Sequence, residues 1–359
     1  MIRCFRPLWW RTLVRRLSVG GIDDYKIDVS SLKERVCRVI EDRAHPEAVR
    51  LKQNNLIDVV LSHVVFGDVS EKEIVQTVDE MDSQHVNEVA GDIFNSGATA
   101  GQDVIHLAVP LFRLAALRGN VNAKYTYAQL LRTGQGVDSD PSEAAQLFTE
   151  LAMQGHPYAQ LALGSMYSSG LGVEQDVEKA AKLYELSCEN GVSQAYHALG
   201  QLHLNGRIES DYTEEENEAK AIRCFNQGVR LGDPYSNFSL AHCYTHGKGV
   251  EKDEKRAFSH LEIAAKADLP VAIYNMACAY FAGKGVDINF SRAAEWFQKA
   301  ADLGFAPAQV NLGNMHYHGL GVDKDKEKAK ELYLKASVTD RSALDLYEKV
   351  VNEETDMQS

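Results

Sequence analysis

Residues 159–194, AQLALGSMYSSGLGVEQDVEKAAKLYELSCENGVSQ, decide how this chain folds. Their marker is Gly170-Leu-Gly172-Val173, with Asp176 three residues further on. The marker returns at Gly134-Gln-Gly136-Val137, Gly247-Lys-Gly249-Val250, Gly283-Lys-Gly285-Val286 and Gly319-Leu-Gly321-Val322. Gly134 to Gly170, Gly247 to Gly283, and Gly283 to Gly319 are each 36 residues. The 77 residues from Gly170 to Gly247 hold two periods and a five-residue insertion, with Gly206 in the degenerate unit. A fixed period of this size signals stacked supersecondary units rather than one globular domain.

Each unit reads as two helices. Ala159, Leu163, Gly164 and Tyr167 fall at helical spacing, as do Ala180, Leu183, Tyr184, Leu186 and Ser187 after the marker. Gly164 stays small at Gly200, Ala241, Ala277 and Gly313; Ala180 stays small at Ala144, Ala221, Ala257, Ala293 and Ala329. Bulk at these positions would hold the two helices apart. The marker glycines end the first helix and permit positive φ. Asp140, Asp176, Asp253, Asn289 and Asp325 stand where the second helix needs an N-cap, and Asp140-Pro141-Ser142-Glu143 adds a first-position proline and a capping-box glutamate.

The pattern A-x-x-x-L-G-x-x-Y-x-x-G-x-G-V-x-x-D-x-x-K/R-A resembles the SEL-1-like repeat family, kin of the tetratricopeptide repeats. Marker-bearing units cover 123–158, 159–194, 236–271, 272–307 and 308–343, and 195–235 carries an acidic insertion at 207–218. A degenerate first repeat occupies 86–122, with Ala90, Gly91, Phe94 and Gly97 followed by Ala108, Leu111, Phe112, Ala115, Ala116 and Gly119; it lacks the marker turn, and Pro110 is expected to shorten or kink its second helix. The resemblance implies an all-α, right-handed α-solenoid of about seven helix–turn–helix repeats with a concave inner surface. It also implies a protein that holds other proteins and is not an enzyme.

Composition agrees. Hydrophobic residues make up 45% of the 359, enough for a continuous core, and the net charge is −13. No apolar run reaches the length of a membrane span. Cys4, Cys37, Cys188, Cys224, Cys243 and Cys278 follow no repeat spacing, which argues against a disulfide framework and an oxidising compartment.

The first 22 residues contain five arginines and no acid, and Arg11 breaks their apolar run. That composition reads as a mitochondrial presequence, cleaved near 17–21 and directing the chain to the matrix; a retained basic tail is the plain alternative. Without these arginines the remainder falls from −13 to −18. Residues 23–85 read as a helical cap or extension, with capping boxes at Ser31-Leu-Lys-Glu34 and Ser70-Glu-Lys-Glu73. The acidic segment 209–218 is expected in a solvated loop, with a contact for a basic partner as the sharper reading. Residues 344–359 are expected to form one closing helix, frayed over its last six residues.

No catalytic constellation appears: the glycine pairs are turn punctuation, and there is no G-x-S-x-G, H-E-x-x-H or Walker pattern. No metal or cofactor is expected. His242 and His246 share a helix face, and Cys278 stands one period after His242; zinc would need a fourth ligand, and residues lining a binding surface account for the same pattern.

By resemblance to tetratricopeptide repeats, certain first-helix positions face the groove. They are Tyr125, Gln129 and Arg132; Leu161 and Ser165; His197 and Gln201; Phe238, His242 and His246; Tyr274, Cys278 and Phe281; Val310, Asn314 and Tyr317. Aromatic, histidine and amide side chains suit a protein or peptide partner. Packing between repeats is the competing use, with Phe238 and Tyr274 expected on the pocket side. The resemblance implies a mitochondrial interaction scaffold, either an assembly factor or a stress-signalling adaptor. Organellar RNA binding needs a basic inner stripe, and the groove set holds one arginine and no lysine. A hydrolase reading, drawn from cysteine-rich bacterial relatives, lacks their paired cysteines. The oligomeric state is not legible.

Overall fold

The computed structural model describes residues 82–100, 105–208 and 212–358. The presequence 1–22 and all but the last four residues of the extension 23–85 lie outside the described residues. Among the described residues there are fifteen helices and no strand. The chain divides into two compact units, one ending at Ala144 and the other beginning at Ala145.

The first unit holds α1 (Ser83–Ala100), α2 (Ile105–Leu117) and α3 (Val121–Thr133), and α4 (Pro141–Met153) begins in it. Helices α1 and α2 pair, with Phe94 and Phe112 meeting edge to face at 6.2 Å. Pro110 lies inside α2, yet that helix runs 13 residues, as long as α3 and α4. The expected shortening is therefore not met. One lost backbone bond is outweighed by packing, since Ala108, Leu111 and Ala115 are completely buried. Asn120 caps α3 by accepting from the Ala123 N–H at 2.9 Å and donates its amide to the Ser83 carbonyl at 3.3 Å, tying α3 to α1.

The second unit stacks five helical hairpins after the remainder of α4. They are α5 (Pro157–Ser169) with α6 (Val177–Glu189), α7 (Ser193–Leu204) with α8 (Glu214–Arg230), α9 (Pro234–His246) with α10 (Glu254–Lys266), α11 (Pro270–Ala282) with α12 (Phe290–Asp302), and α13 (Ala306–His318) with α14 (Lys326–Ala336). Each second helix also packs on the next first helix. This is the solenoid arrangement that the period implies.

The turn between the helices is built the same way each time. Gly170, Gly247, Gly283 and Gly319 cap their first helices at φ of 70–74°. The second marker glycine does something else. A Cβ on Gly285 or Gly321 would meet the backbone that opens the preceding second helix, 2.0 Å from the Glu254 carbonyl oxygen for Gly285, and one on Gly249 would meet Glu218, a turn inside α8. So the first glycine serves its own turn and the second lets neighbouring repeats close up. Asp176, Asp253, Asn289 and Asp325 each accept at 2.9 Å from the amide three residues on. Their own N–H groups reach back to Tyr167, Tyr244, Tyr280 and His316 carbonyls at 2.9–3.0 Å. Each N-cap thus fastens the second helix to the first.

Small residues and rings interlock across three of these hairpins. Cβ atoms placed on Gly164, Gly200 and Gly313 would lie 2.5–2.7 Å from ring carbons of Tyr184, Phe225 and Tyr333. Phe148, Phe225, Tyr333, Leu240, Ile273, Met276 and Leu312 are fully buried. Each such side chain stabilises the fold by roughly 1.5–3 kcal/mol.

Of the acidic insertion, 209–211 lie outside the described residues, and among the rest Glu214 to Glu218 are helix, not loop. Glu214–Arg230 extends α8 to 17 residues, opened by a reciprocal Thr213–Glu216 capping box. Three glutamates in its first turn meet the positive end of the helix dipole, which favours helix over loop. Asn217 occupies the usual N-cap position but lies inside the longer helix, where its Oδ1 meets His203 Nδ1 at 3.2 Å. Glu218 accepts from the Gly249 N–H at 2.6 Å, so part of the insertion joins adjacent repeats. At the other end, α15 (Ser342–Gln358) covers α14 with Ala343 and Val350 buried, and its helix continues through the six-residue tail expected to fray as far as Gln358.

Candidate functional site

The first helices of the second unit carry no formal charge. From Pro157 to Ser169, Ser193 to Leu204, Pro234 to His246, Pro270 to Ala282 and Ala306 to His318 there is no Asp, Glu, Lys or Arg. The second helices are dense in them, as in EEENEAKAIRCFNQGVR of α8 and KEKAKELYLKA of α14. Burial does not explain the contrast. Ser165, Gln194, Tyr235, His242, His246 and Phe281 are exposed, yet none of them is acidic or basic at fixed charge.

Two cavities open on this face. One, of about 290 Å³, lies among α9, α10 and α11; Phe238, His242 and Thr245 of α9 face Phe258 of α10 and Asn275 and Cys278 of α11 across it. The other, of about 240 Å³, lies among α11, α12 and α13 and is lined by Phe281, Phe297, Asn311, Asn314 and Met315. Cys278 lines both. The charged residues at the first cavity are Glu254, at the start of α10, and Lys284, in the turn after α11. Glu254 is already paired with Lys252 at 3.2 Å.

The structure brings Phe238, His242, His246 and Cys278 together at the first cavity, and Cys278, Phe281 and Asn314 at the second. The other residues assigned to the groove lie elsewhere. Tyr125, Gln129 and Arg132 form a hydrogen-bonded chain along α3 in the first unit, at 2.8 and 2.9 Å. Leu161 packs partly buried against the α6–α7 core, while Ser165 is exposed. The His197 ring lies tilted against Phe225 and Tyr235 at 6.0 and 5.7 Å, and Gln201 donates to Ser239 Oγ at 2.9 Å, linking α7 to α9. Tyr274, expected at the pocket, lines neither cavity. Its ring packs against Phe297 and Phe305, and its hydroxyl accepts from Asn311 at 3.1 Å, which makes it a joint between repeats. Val310 and Tyr317 pack beside the C-terminal helix, where the Tyr317 hydroxyl donates to Glu353 at 2.5 and 2.7 Å. That contact pushes Tyr317 up and holds Glu353 below the usual carboxylate range. A Tyr317 covered by its own chain was not visible in the repeat pattern. Neither were Phe258 and Asn275, which come from positions that pattern does not assign to the groove.

His242 and His246 rings lie 4.2 Å apart, and His246 Nδ1 donates to the His242 carbonyl at 2.9 Å. Burial, then the neighbouring His246 and Lys248, holds His242 below the ordinary histidine range. Among the described residues, no three His, Cys, Asp or Glu side chains are grouped to hold a metal ion. Cys188, Cys224, Cys243 and Cys278 are free thiols, and burial pushes Cys188 up to about 12 and Cys243 up to about 11. Burial thus disfavours the thiolate form of these side chains.

Stacked helical hairpins with an open, uncharged first-helix face define a helical-repeat protein. The Sel1 repeat model matches residues 121–156, 157–192, 193–233, 234–269, 270–305 and 306–337, more than half of the chain. The chain belongs to the Sel1 repeat family, whose members are generally protein-interaction scaffolds. Among solved structures it is similar to a Sel1 repeat protein from Oxalobacter formigenes, at 26% identity and TM-score 0.61, covering 71% of this chain and all of that one. It is also similar to a protective antigen of uropathogenic Escherichia coli with an SLR fold, at 25% identity and TM-score 0.43, covering 85% of this chain and 72% of the other. A third is cysteine rich protein B of Helicobacter pylori, at 22% identity and TM-score 0.31, covering 38% and 99%. No curated protein sequence matches the chain.

Proposed function

We propose that this protein is a mitochondrial interaction scaffold, an adaptor or assembly factor that holds a client on the first-helix face of α9, α11 and α13. The observation that carries this reading is the pair of adjacent cavities sharing Cys278, edged by the exposed ring of Phe281. A half-exposed aromatic beside an apolar hollow is the usual form of a binding anchor. RNA finds little there to neutralise its phosphates, since these helices hold no lysine or arginine.

The reading is tested by placing a photo-crosslinking residue at Phe281 in the full chain, with Glu295 of α12 as the control. Adducts to one or a few proteins from Phe281 and not from Glu295 support it; equal adducts from both overturn it. The mitochondrial part rests on the five arginines and missing acids of residues 1–22. Deleting that segment should leave the protein cytosolic, and continued import would refute the assignment.

A further inference from the structure

We infer that the segment held on this face is extended and uncharged, with apolar or aromatic side chains three residues apart. The inference rests on the docking reading above and adds the partner's chemistry.

Charge is the first argument. A charged segment laid on α9, α11 and α13 would shed water and find no opposite charge on those helices. The second helices show that the chain has charges to spare, so their absence here is selective. The cavity edge does not restore them. Glu254 and Lys284 are of opposite sign, and Glu254 is engaged by Lys252. His242, though partly exposed, is held below the ordinary histidine range by partial desolvation against the cavity, then by His246 and Lys248, so it supplies no fixed charge.

Beside the Thr245 hydroxyl and the His242 and His246 rings, the cavities carry three amides. Asn275, Asn311 and Asn314 line the two cavities. The carboxamide of Asn311 donates to Tyr274 and that of Asn314 accepts from Tyr333 Oη at 2.8 Å. Each keeps further donor or acceptor capacity, and a carboxamide matches the N–H and C=O of an extended backbone.

Spacing sets the register. Hydrogen bonds join first helix to first helix from α7 to α9, through Gln201 and Ser239, and from α11 to α13, through Asn311 and Tyr274. Packed helices lie roughly 8–10 Å apart. An extended polyproline-type chain rises about 3.1 Å per residue and returns to the same face every three residues, roughly 9 Å on. Side chains at i and i+3 therefore reach the two cavities on either side of Cys278.

The test is selection of a phage-displayed random peptide library on the immobilised full chain. Phe281→Ala and Asn275→Ala serve as counter-screens, and their melting is measured alongside. Enriched peptides should be uncharged through their centre and place Leu, Phe or Tyr at i and i+3. Their Kd should change by less than about twofold between about 50 and about 500 mM NaCl, and should weaken about tenfold with Phe281→Ala. Peptides that need Phe281 but carry central charges, or lose about fivefold or more with salt, would overturn the uncharged segment while leaving the docking face intact. Peptides indifferent to both variants, or no enrichment, would overturn the segment and the docking face together.

Discussion

A Cβ placed on Gly164 would lie 2.7 Å from Cε1 of Tyr184, inside any permitted contact, so the absence of a side chain is what lets α5 and α6 meet. Tyr184 is 4% exposed and cannot swing clear. Gly164→Leu should lower stability by about 1–3 kcal/mol or more. Gly91, at the matching position of the degenerate repeat, has nothing within 4 Å of such a Cβ. Gly91→Ala should therefore raise stability by roughly 0.5–1 kcal/mol. Urea denaturation of the two variants checks the pair; the same sign for both would contradict the packing described.

The two marker glycines should separate in the same measurement. Gly247→Ala meets only ordinary contacts at 3.7 Å and bears the left-handed backbone alone, about 1–2 kcal/mol. Gly285→Ala bears that and a collision with the Glu254 carbonyl, so it should be distinctly the less stable of the two.

Stability should fall as the solution is acidified through the histidine range. His156, His197, His203, His242 and His260 are all held below the ordinary histidine value, each chiefly by burial. The unfolded chain therefore takes up protons first, and the stability present above the unfolded pKa is lost as pH falls through the lower folded values. The melting temperature should drop between about pH 7 and about pH 5.5, before the carboxylates titrate. His197→Gln, which removes one of the more buried rings, should flatten that slope; an unchanged slope would count against it.

Tyr274 and Phe281 lie on one helix but should behave oppositely. Tyr274→Ala removes a ring wedged between Phe297 and Phe305 and should cost about 2 kcal/mol or more of folding stability. Phe281→Ala removes a ring that is 39% exposed, so stability should change by less than about 1 kcal/mol while client binding is lost. Calorimetry and binding on the same preparations separate the two roles.

The repeat, its two helices and its turn were legible in the sequence because they are local. Glycine at positive φ and an N-cap three residues beyond the valine act within a few residues of themselves, and the 36-residue period writes the same solution repeatedly. Which residues form the site was legible only in part. Helical spacing gathers Phe238, His242 and His246 on one stretch of α9, but Phe258 and Asn275 join them only when α10 and α11 pack. Tyr274 and Tyr317 were both assigned to the groove, yet one is taken by the next repeat and the other by Glu353 of α15. The acids at 214–218 read as loop because their charge was visible and their helix was not; the Thr213 cap and the Gly249 amide, 31 residues beyond Glu218, make them helix and joint. Sequence alone determined the repeated hairpins and their turns, since that backbone geometry answers to near neighbours. Tertiary structure decided which surfaces remain open, since that depends on what residues far along the chain have already covered.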